Sequence, residues 1–397
     1  MKQYICMLAI ASGLWACTKD TSVYAPQKKE NVQPAELFQP DGPEKTPDGF
    51  LRAGINKVVM EVAMPDGTTM KREFKYYFPI SLNPNKPISL VFNFHGSYTY
   101  ATGTPPPDPI LYISATDPLN RLADTANIIT VWPAGAAEPG AVNWAVSEKH
   151  IPFVKAMVTY FKGATPTVDA NRIYTCGHSS GAIFSFVLAR EMNDVFAAAC
   201  PVSGQMKLTD LTAPARTTAV RAFNGQKDAT VKHSAAVSNI NVWADVMGGY
   251  YAKDSIVGQK VITAGNYTLL PTKWGGGNGS VEFFSIPEAD HGIDWSIILP
   301  YMWEFMRNNP LNKPTGPYIG VVANALGFSA GKQVSVPMKT SRNTVARVVS
   351  APDGFTVTLT EGMVNIATLP TALSGKIVLE GALDGKTQLV EINMTKK

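Results

Sequence analysis

A hydroxyl, an imidazole and a carboxylate spaced far apart in this chain are of the types that cleave acyl bonds when a fold brings them together. Ser179 stands in Gly177-His178-Ser179-Ser180-Gly181, between a β-rich run at 172–176 and an apolar helical run at 182–189. Gly-x-Ser-x-Gly at a strand-to-helix turn is the pattern of a nucleophile elbow. Such a turn is so tight that side chains at its flanking positions would strike neighbouring backbone, which is why glycine holds them. The helix that follows points its first amides at the hydroxyl. A serine is a poor nucleophile until a base takes its proton.

Histidine suits that task near neutrality, and the chain has five: His95, His150, His178, His233 and His291. In the order serine, acid, histidine the base must follow Ser179, which leaves His233 and His291. His291 sits in Pro287-Glu288-Ala289-Asp290-His291-Gly292, just after an apolar run at 281–286. A loop at the end of a strand can reach an elbow, so His291 is the expected base. His233 lies early in a helical stretch and reads as a surface or capping residue. The carboxylate that orients the imidazole is expected to be Asp228, in the loop after the run at 219–223. Asp290 and Asp294 are too close in sequence to His291 to point at its inner nitrogen, and Asp245 is a weaker rival. Two backbone amides should hold the oxyanion: that of Ser180, and that of Ser97 in Phe94-His95-Gly96-Ser97-Tyr98, with Tyr98 as second choice. The His95 ring is expected to sit beneath that loop.

Short apolar runs at 88–94, 128–132, 172–176, 196–202, 219–223 and 281–286 read as strands buried on both faces of a parallel sheet. Helical stretches lie between them. In 147–161 the residues Ile151, Val154, Val158 and Phe161 recur at helical steps, with Ser147 as a possible cap and Gly163 as a stop. Alternation of this kind means an α/β fold. Runs at 57–63 and 69–78 flank Pro65-Asp66-Gly67 and predict an antiparallel hairpin at the sheet edge. From 320 onward the helical signal vanishes, and runs at 333–338, 344–349, 355–359, 376–379 and 388–392 predict a small β-sandwich. Glycines at 275–277 and 279 lack the Lys-Ser/Thr of a phosphate loop and read as a bare loop.

The 397 residues carry a net charge of +4, with 45% hydrophobic and 17% charged side chains, which excludes a disordered chain. No Lys/Arg cluster offers a stripe for nucleic acid. No Cys-x-x-Cys or Cys/His group has metal-ligand spacing, so no metal or cofactor is expected. At the N-terminus Lys2 precedes an apolar run at 5–15, shorter than the roughly 20 residues of a bilayer span. Leu14-Trp15-Ala16-Cys17 resembles the lipobox of bacterial lipoproteins, which implies a signal peptide at 1–16, acylation of Cys17 and a membrane anchor. Residues 17–49 read as a flexible tether. Cys176 and Cys200 read as buried small hydrophobes on neighbouring strands.

Further landmarks join the elbow: Phe94-His95-Gly96, Val131-Trp132-Pro133-Ala134-Gly135, Asn143-Trp144, Pro201-Val202-Ser203-Gly204, Asn224-Gly225 ahead of Asp228, and Asp290-His291-Gly292. In this order, across about 57–307, the chain resembles the α/β-hydrolase family of secreted feruloyl and acetylxylan esterases and poly(3-hydroxybutyrate) depolymerase-like esterases. The resemblance implies an α/β-hydrolase fold at 50–310 with Ser179, Asp228 and His291 as the triad. It departs at Asn224, where the family usually has histidine, and at Lys149-His150, where an acidic pair is expected. The all-β region at 311–397 resembles immunoglobulin-like accessory modules of secreted bacterial hydrolases.

The expected function is therefore that of a secreted serine esterase, held at the outer membrane or cell surface by its lipid and working as a monomer. Its substrate would be a carboxylic ester, either feruloyl or acetyl groups on plant polysaccharide. Trp144 and Tyr98 are expected to line the substrate site. A short-chain polyester depolymerase is the alternative with the same triad. A catalytically idle surface binding protein is the alternative of another class.

Overall fold

The structure, a computed structural model, describes residues 51–397 except 102, 207–215, 256–260, 276–279, 314–315 and 342. The expected signal peptide, Cys17 and the tether lie outside the described residues, as does most of the glycine-rich turn at 275–279.

The hairpin predicted at the start is present as β1 (Gly54–Ala63) and β2 (Thr69–Phe78), followed by β3 (Ser89–Phe94). A two-residue β4 (Tyr98–Thr99) and helix α1 (Pro118–Ala126) lead to β5 (Ile128–Pro133). Short β6 (Ala136–Glu138) and β7 (Ala141–Asn143) precede α2 (Ser147–Lys162). Then come β8 (Ile173–His178), α3 (Ser180–Glu191), β9 (Ala198–Val202), β10 (Ala219–Gly225) and α4 (His233–Val242). The α/β part ends with β11 (Ile262–Ala264), β12 (Tyr267–Trp274), β13 (Val281–Ile286) and α5 (Trp295–Arg307).

Ten of these strands form one mixed sheet in the order β1-β2-β5-β3-β8-β9-β10-β13-β12-β11. From β5 to β13 the neighbours run parallel, while β1, β2 and β12 pair antiparallel. Every residue of β3, β5, β10 and β13 is buried, because helices cover both faces and leave no wet side to alternate toward. On one face Val91, Tyr174 and Cys176 pack against Leu119 of α1 and Met302 of α5. On the other, Leu90, Phe92 and Phe94 pack against Phe153 of α2 and Phe184 of α3. Cys176 and Cys200 lie side by side on β8 and β9, both buried and both free.

After β3 the chain moves outward to β5, then crosses back to β8 on the other side of β3. That reversal opens a crevice at the carboxyl ends of β3 and β8, where open α/β sheets place their ligands. Loop 95–98 leaves β3 there and Ser179 leaves β8 there.

One local expectation is corrected, and one strand is added. Val146, not Ser147, occupies the cap of α2 and offers only its carbonyl, which accepts from the Lys149 amide at 3.1 Å. β12 lies outside the apolar runs read as strands from the sequence, and Pro271 falls within it. Proline is tolerated there because β11 pairs only with residues 267–269, so at Pro271 the strand is a sheet edge.

The remaining chain is all β: β14 (Ile319–Val321), β15 (Ala325–Phe328), β16 (Gln333–Thr340), β17 (Val345–Ser350), β18 (Phe355–Thr360), β19 (Met363–Thr368), β20 (Gly375–Leu383) and β21 (Lys386–Lys396). They form two four-stranded sheets, β14-β16-β19-β18 and β15-β21-β20-β17, sharing a core that includes Val336, Ile366, Ile377 and Ile392. Both parts belong to one compact unit. The joint uses Tyr318, whose hydroxyl donates to Asp254 at 2.7 Å, and Lys339, paired with Asp245 at 2.6 Å. Met247, two residues beyond Asp245, accepts from Thr217 just before β10 starts. The all-β part thus meets the sheet at the amino ends of its parallel strands, away from the crevice.

Candidate active site

Ser179 sits between β8 and α3 with φ 54° and ψ −115°, a conformation that costs a side-chain-bearing residue of order 1–3 kcal/mol. The surroundings enforce it. A Cβ on Gly181 would lie 2.0 Å from the Phe94 carbonyl oxygen, and one on Gly177 would lie 2.6 Å from both the Phe94 and the Gly181 oxygens. The steric reading of the two elbow glycines therefore holds in three dimensions. The Ser179 amide is bonded to the Val202 carbonyl at 3.0 Å, which ties the elbow to β9.

Asp228 and His291 meet at the ends of β10 and β13. The His291 Nδ1–H donates to Asp228 Oδ2 at 2.9 Å. The other carboxylate oxygen accepts the amides of Thr230 at 2.9 Å and Val231 at 2.8 Å, and Asn224 Nδ2 donates to Oδ2 at 3.3 Å. Burial pushes this carboxyl up, but the bonds from His291, Val231 and Thr230 outweigh it, so the group lies below the ordinary aspartate value. The Asp228 side chain is fully buried, while His291 keeps 17% of its ring side exposed. An imidazole anchored through Nδ1 leaves Nε2 free to exchange protons.

Among the described residues no hydrogen bond joins Ser179 Oγ to the His291 ring. The two are linked through His178, whose Nε2–H donates to the His291 carbonyl at 2.7 Å and whose ring lies 4.7 Å from the His291 ring. Nucleophile–base bonds are often loose before substrate binds. The role of His178 is not legible in the sequence, because a residue inside the elbow motif carries no signal of a distant partner.

The rival groups are engaged elsewhere. Asp290 accepts the Gly292 amide, Asp294 caps α5 through the Ser296 amide, and Asp245 pairs with Lys339. His233 bonds Ser285 Oγ and packs on Phe283.

The loop after β3 lies against the elbow: a Cβ on Gly96 would stand 3.5 Å from the Ser179 Cβ. Ser97 is exposed at its tip. Beneath it the His95 ring accepts the Gly135 amide at Nε2 (2.9 Å) and donates from Nδ1 to the Gly96 carbonyl (2.5 Å). Burial lowers this imidazole to about 4, so it is neutral. Tyr98 is half-buried and edge-on to His95 at 5.3 Å.

Trp144 does not form a substrate wall. It is 2% exposed and packs between Phe94, Phe184, His95 and His150. Its Nε1–H donates to the His95 carbonyl at 3.0 Å and its amide donates to Ser180 Oγ at 3.1 Å. An Asn-Trp pair in a loop shows an aromatic surface but not which way it faces, and here the apolar cluster between β3 and α3 claims it.

No group of three or more His, Cys, Asp or Glu able to hold a metal occurs among the described residues. The residues gathered here are of the kinds that carry out acyl transfer: a strained serine, a carboxylate-bound imidazole and a loop of amides against the elbow.

No family model matches the sequence, and no curated protein matches it. Among solved structures the chain is similar to an acetyl xylan esterase from Aspergillus awamori, with 18% identity over 64% of this chain and 99% of that one, at a TM-score of 0.48. It is also similar to a feruloyl esterase module from Clostridium thermocellum complexed with sinapinate, with 14% identity over 67% and 92% and a TM-score of 0.40. An S-formylglutathione hydrolase from Staphylococcus aureus gives 15% identity over 65% and 99%, with a TM-score of 0.40.

Proposed function

We propose that this protein is a serine esterase that hydrolyses carboxylic esters through an acyl-serine intermediate. The observation that carries the reading is the 2.9 Å bond between His291 and Asp228, at the same carboxyl end of the sheet as the strained Ser179. Ser179 attacks the ester carbonyl while His291 takes its proton. The amides of Ser180 and Ser97 receive the oxyanion, and His291 returns the proton to the departing alkoxide. Water then attacks the acyl-serine by the same route.

The proposed substrates are feruloyl or acetyl esters on plant polysaccharide. The chain is further proposed to be exported, anchored by lipid on Cys17 and monomeric, with 311–397 as an immunoglobulin-like accessory module. Fluorophosphonate should label the wild type at Ser179 and fail on Ser179→Ala, which should also lose p-nitrophenyl acetate hydrolysis; retained turnover would refute the nucleophile. Methyl ferulate, acetylated xylan and hydroxybutyrate oligomers offered side by side decide the substrate class, and preference for the oligomers would point to the depolymerase. Palmitate labelling that survives Cys17→Ala would place the lipid elsewhere.

A further inference from the structure

The two amides assigned to the oxyanion sit on separate loops, one after β3 and one at the start of α3. An oxyanion hole works only if its donors are set at the right separation before the charge appears. One residue touches both loops. Trp144 gives its backbone N–H to Ser180 Oγ at 3.1 Å and its indole N–H to the His95 carbonyl at 3.0 Å. The span between these two donors is set by one side-chain rotamer, and that rotamer is locked. The indole stacks on Phe184 at 5.3 Å and 12°, meets Phe94 edge-on at 4.9 Å, and has His150 at 4.8 Å.

The stretch that carries Trp144 is itself held at both ends. Arg72 donates to the Ala134 carbonyl at 2.8 Å and to the Lys149 carbonyl at 2.9 Å. Gly135, next to Ala134, gives its amide to the His95 ring at 2.9 Å. The His95 peptide is thereby fixed from two sides, by the indole at its carbonyl and by the 134–135 turn at its ring.

We propose that Trp144 is a positioning residue that sets the separation of the Ser97 and Ser180 amides, acting through the His95 carbonyl and the Ser180 hydroxyl. The proposal deepens the esterase reading and rests on it. It separates two things a buried indole can do: filling space, which any bicycle of equal size would do, and donating its ring N–H to the His95 carbonyl, which a bicycle without that N–H would not.

The test uses the full chain. Replacing Trp144 with β-(3-benzothienyl)alanine keeps the bicycle and removes only the indole N–H. Ser180→Ala removes the acceptor of the other bond and keeps the Ser180 amide, and Ser180→Thr restores a hydroxyl. Rates of p-nitrophenyl acetate hydrolysis are normalised to sites titrated with fluorophosphonate, and inhibition by phenylboronic acid is measured alongside. Each bond-deleting variant should lose roughly ten- to hundredfold in kcat with little change in KM. Inhibition by the boronic acid, whose serine adduct is tetrahedral, should weaken by a similar factor, and Ser180→Thr should recover most of the loss. If kcat per titrated site stays within about twofold of wild type while only the melting temperature falls, Trp144 is core packing and the proposal fails alone. If Ser179→Ala retains turnover, the esterase reading and the proposal fall together.

Discussion

The Nε2–H of His178 donates to the carbonyl oxygen of His291 at 2.7 Å, so the residue immediately before Ser179 holds the backbone of the imidazole proposed as its base. Strand β8 and the loop after β13 are not neighbours in the sheet, and this bond spans the gap between them. His178→Phe keeps a ring against His291 but deletes the donor, and should lower kcat by about tenfold with a smaller effect on KM. His178→Gln, which keeps an N–H, should retain more activity than the phenylalanine variant. A phenylalanine variant as fast as the glutamine variant, or faster, in steady-state assays would show that the bond is not what matters.

Asp228 orients the imidazole through Nδ1. In Asp228→Asn the amide presents N–H or a neutral oxygen where the carboxylate accepted, and the wrong tautomer of His291 is favoured. By analogy with serine hydrolases whose acid is replaced this way, kcat should fall by about 10⁴. The Thr230 and Val231 amides still find the remaining side-chain oxygen, so the melting temperature should move little. A variant with more than about one-tenth of wild-type kcat would show that Asp228 is not the acid.

The φ of 54° at Ser179 is tolerated because the turn demands it. Ser179→Gly removes the side chain that makes this conformation costly, of order 1–3 kcal/mol, and adds a backbone entropy cost of about 0.5–1 kcal/mol. The variant should therefore be inactive yet more stable than wild type by about 1 kcal/mol in urea unfolding. A lower urea midpoint would mean that the serine conformation carries no strain.

Two imidazoles beneath the crevice are held neutral. Burial lowers His95 to about 4, while burial and then the charge of Arg72 lower His150 to about 3. In the unfolded chain both titrate near 6.5. Between pH 6.5 and about 4 the unfolded state binds protons that the native state refuses, so stability is full above 6.5 and falls as the pH drops. Each histidine contributes up to about 1.4 kcal/mol per pH unit in that window. Urea midpoints at pH 7.0, 5.5 and 4.5 should decline in that order, and His150→Gln should flatten the decline. A midpoint that holds steady to pH 4.5 would rule this out.

Much of the scaffold is legible residue by residue. The hairpin of β1 and β2, the fully apolar β3 and the helix ending at Gly163 follow from periodicity and turn residues, which act over a few positions. The elbow is legible for the same reason, since the collisions that require Gly177 and Gly181 arise within the turn and with the neighbouring β3. β12 escapes because Pro271 contradicts a strand locally, and only its place at a sheet edge makes it acceptable.

The residues proposed to carry the chemistry follow from type and order: an elbow serine, one later histidine at a strand end, one aspartate in the intervening loop. Which way each faces does not. The return of the chain from β5 across β3 to β8 puts loop 95–98 beside Ser179, and the pairing of β10 with β13 brings Asp228 to His291. Trp144 shows the limit most plainly. Its composition says aromatic surface, but the packing of α3 on β3 turns that surface inward, and burial leaves its two N–H groups to bond whatever backbone and side chains the fold brings near.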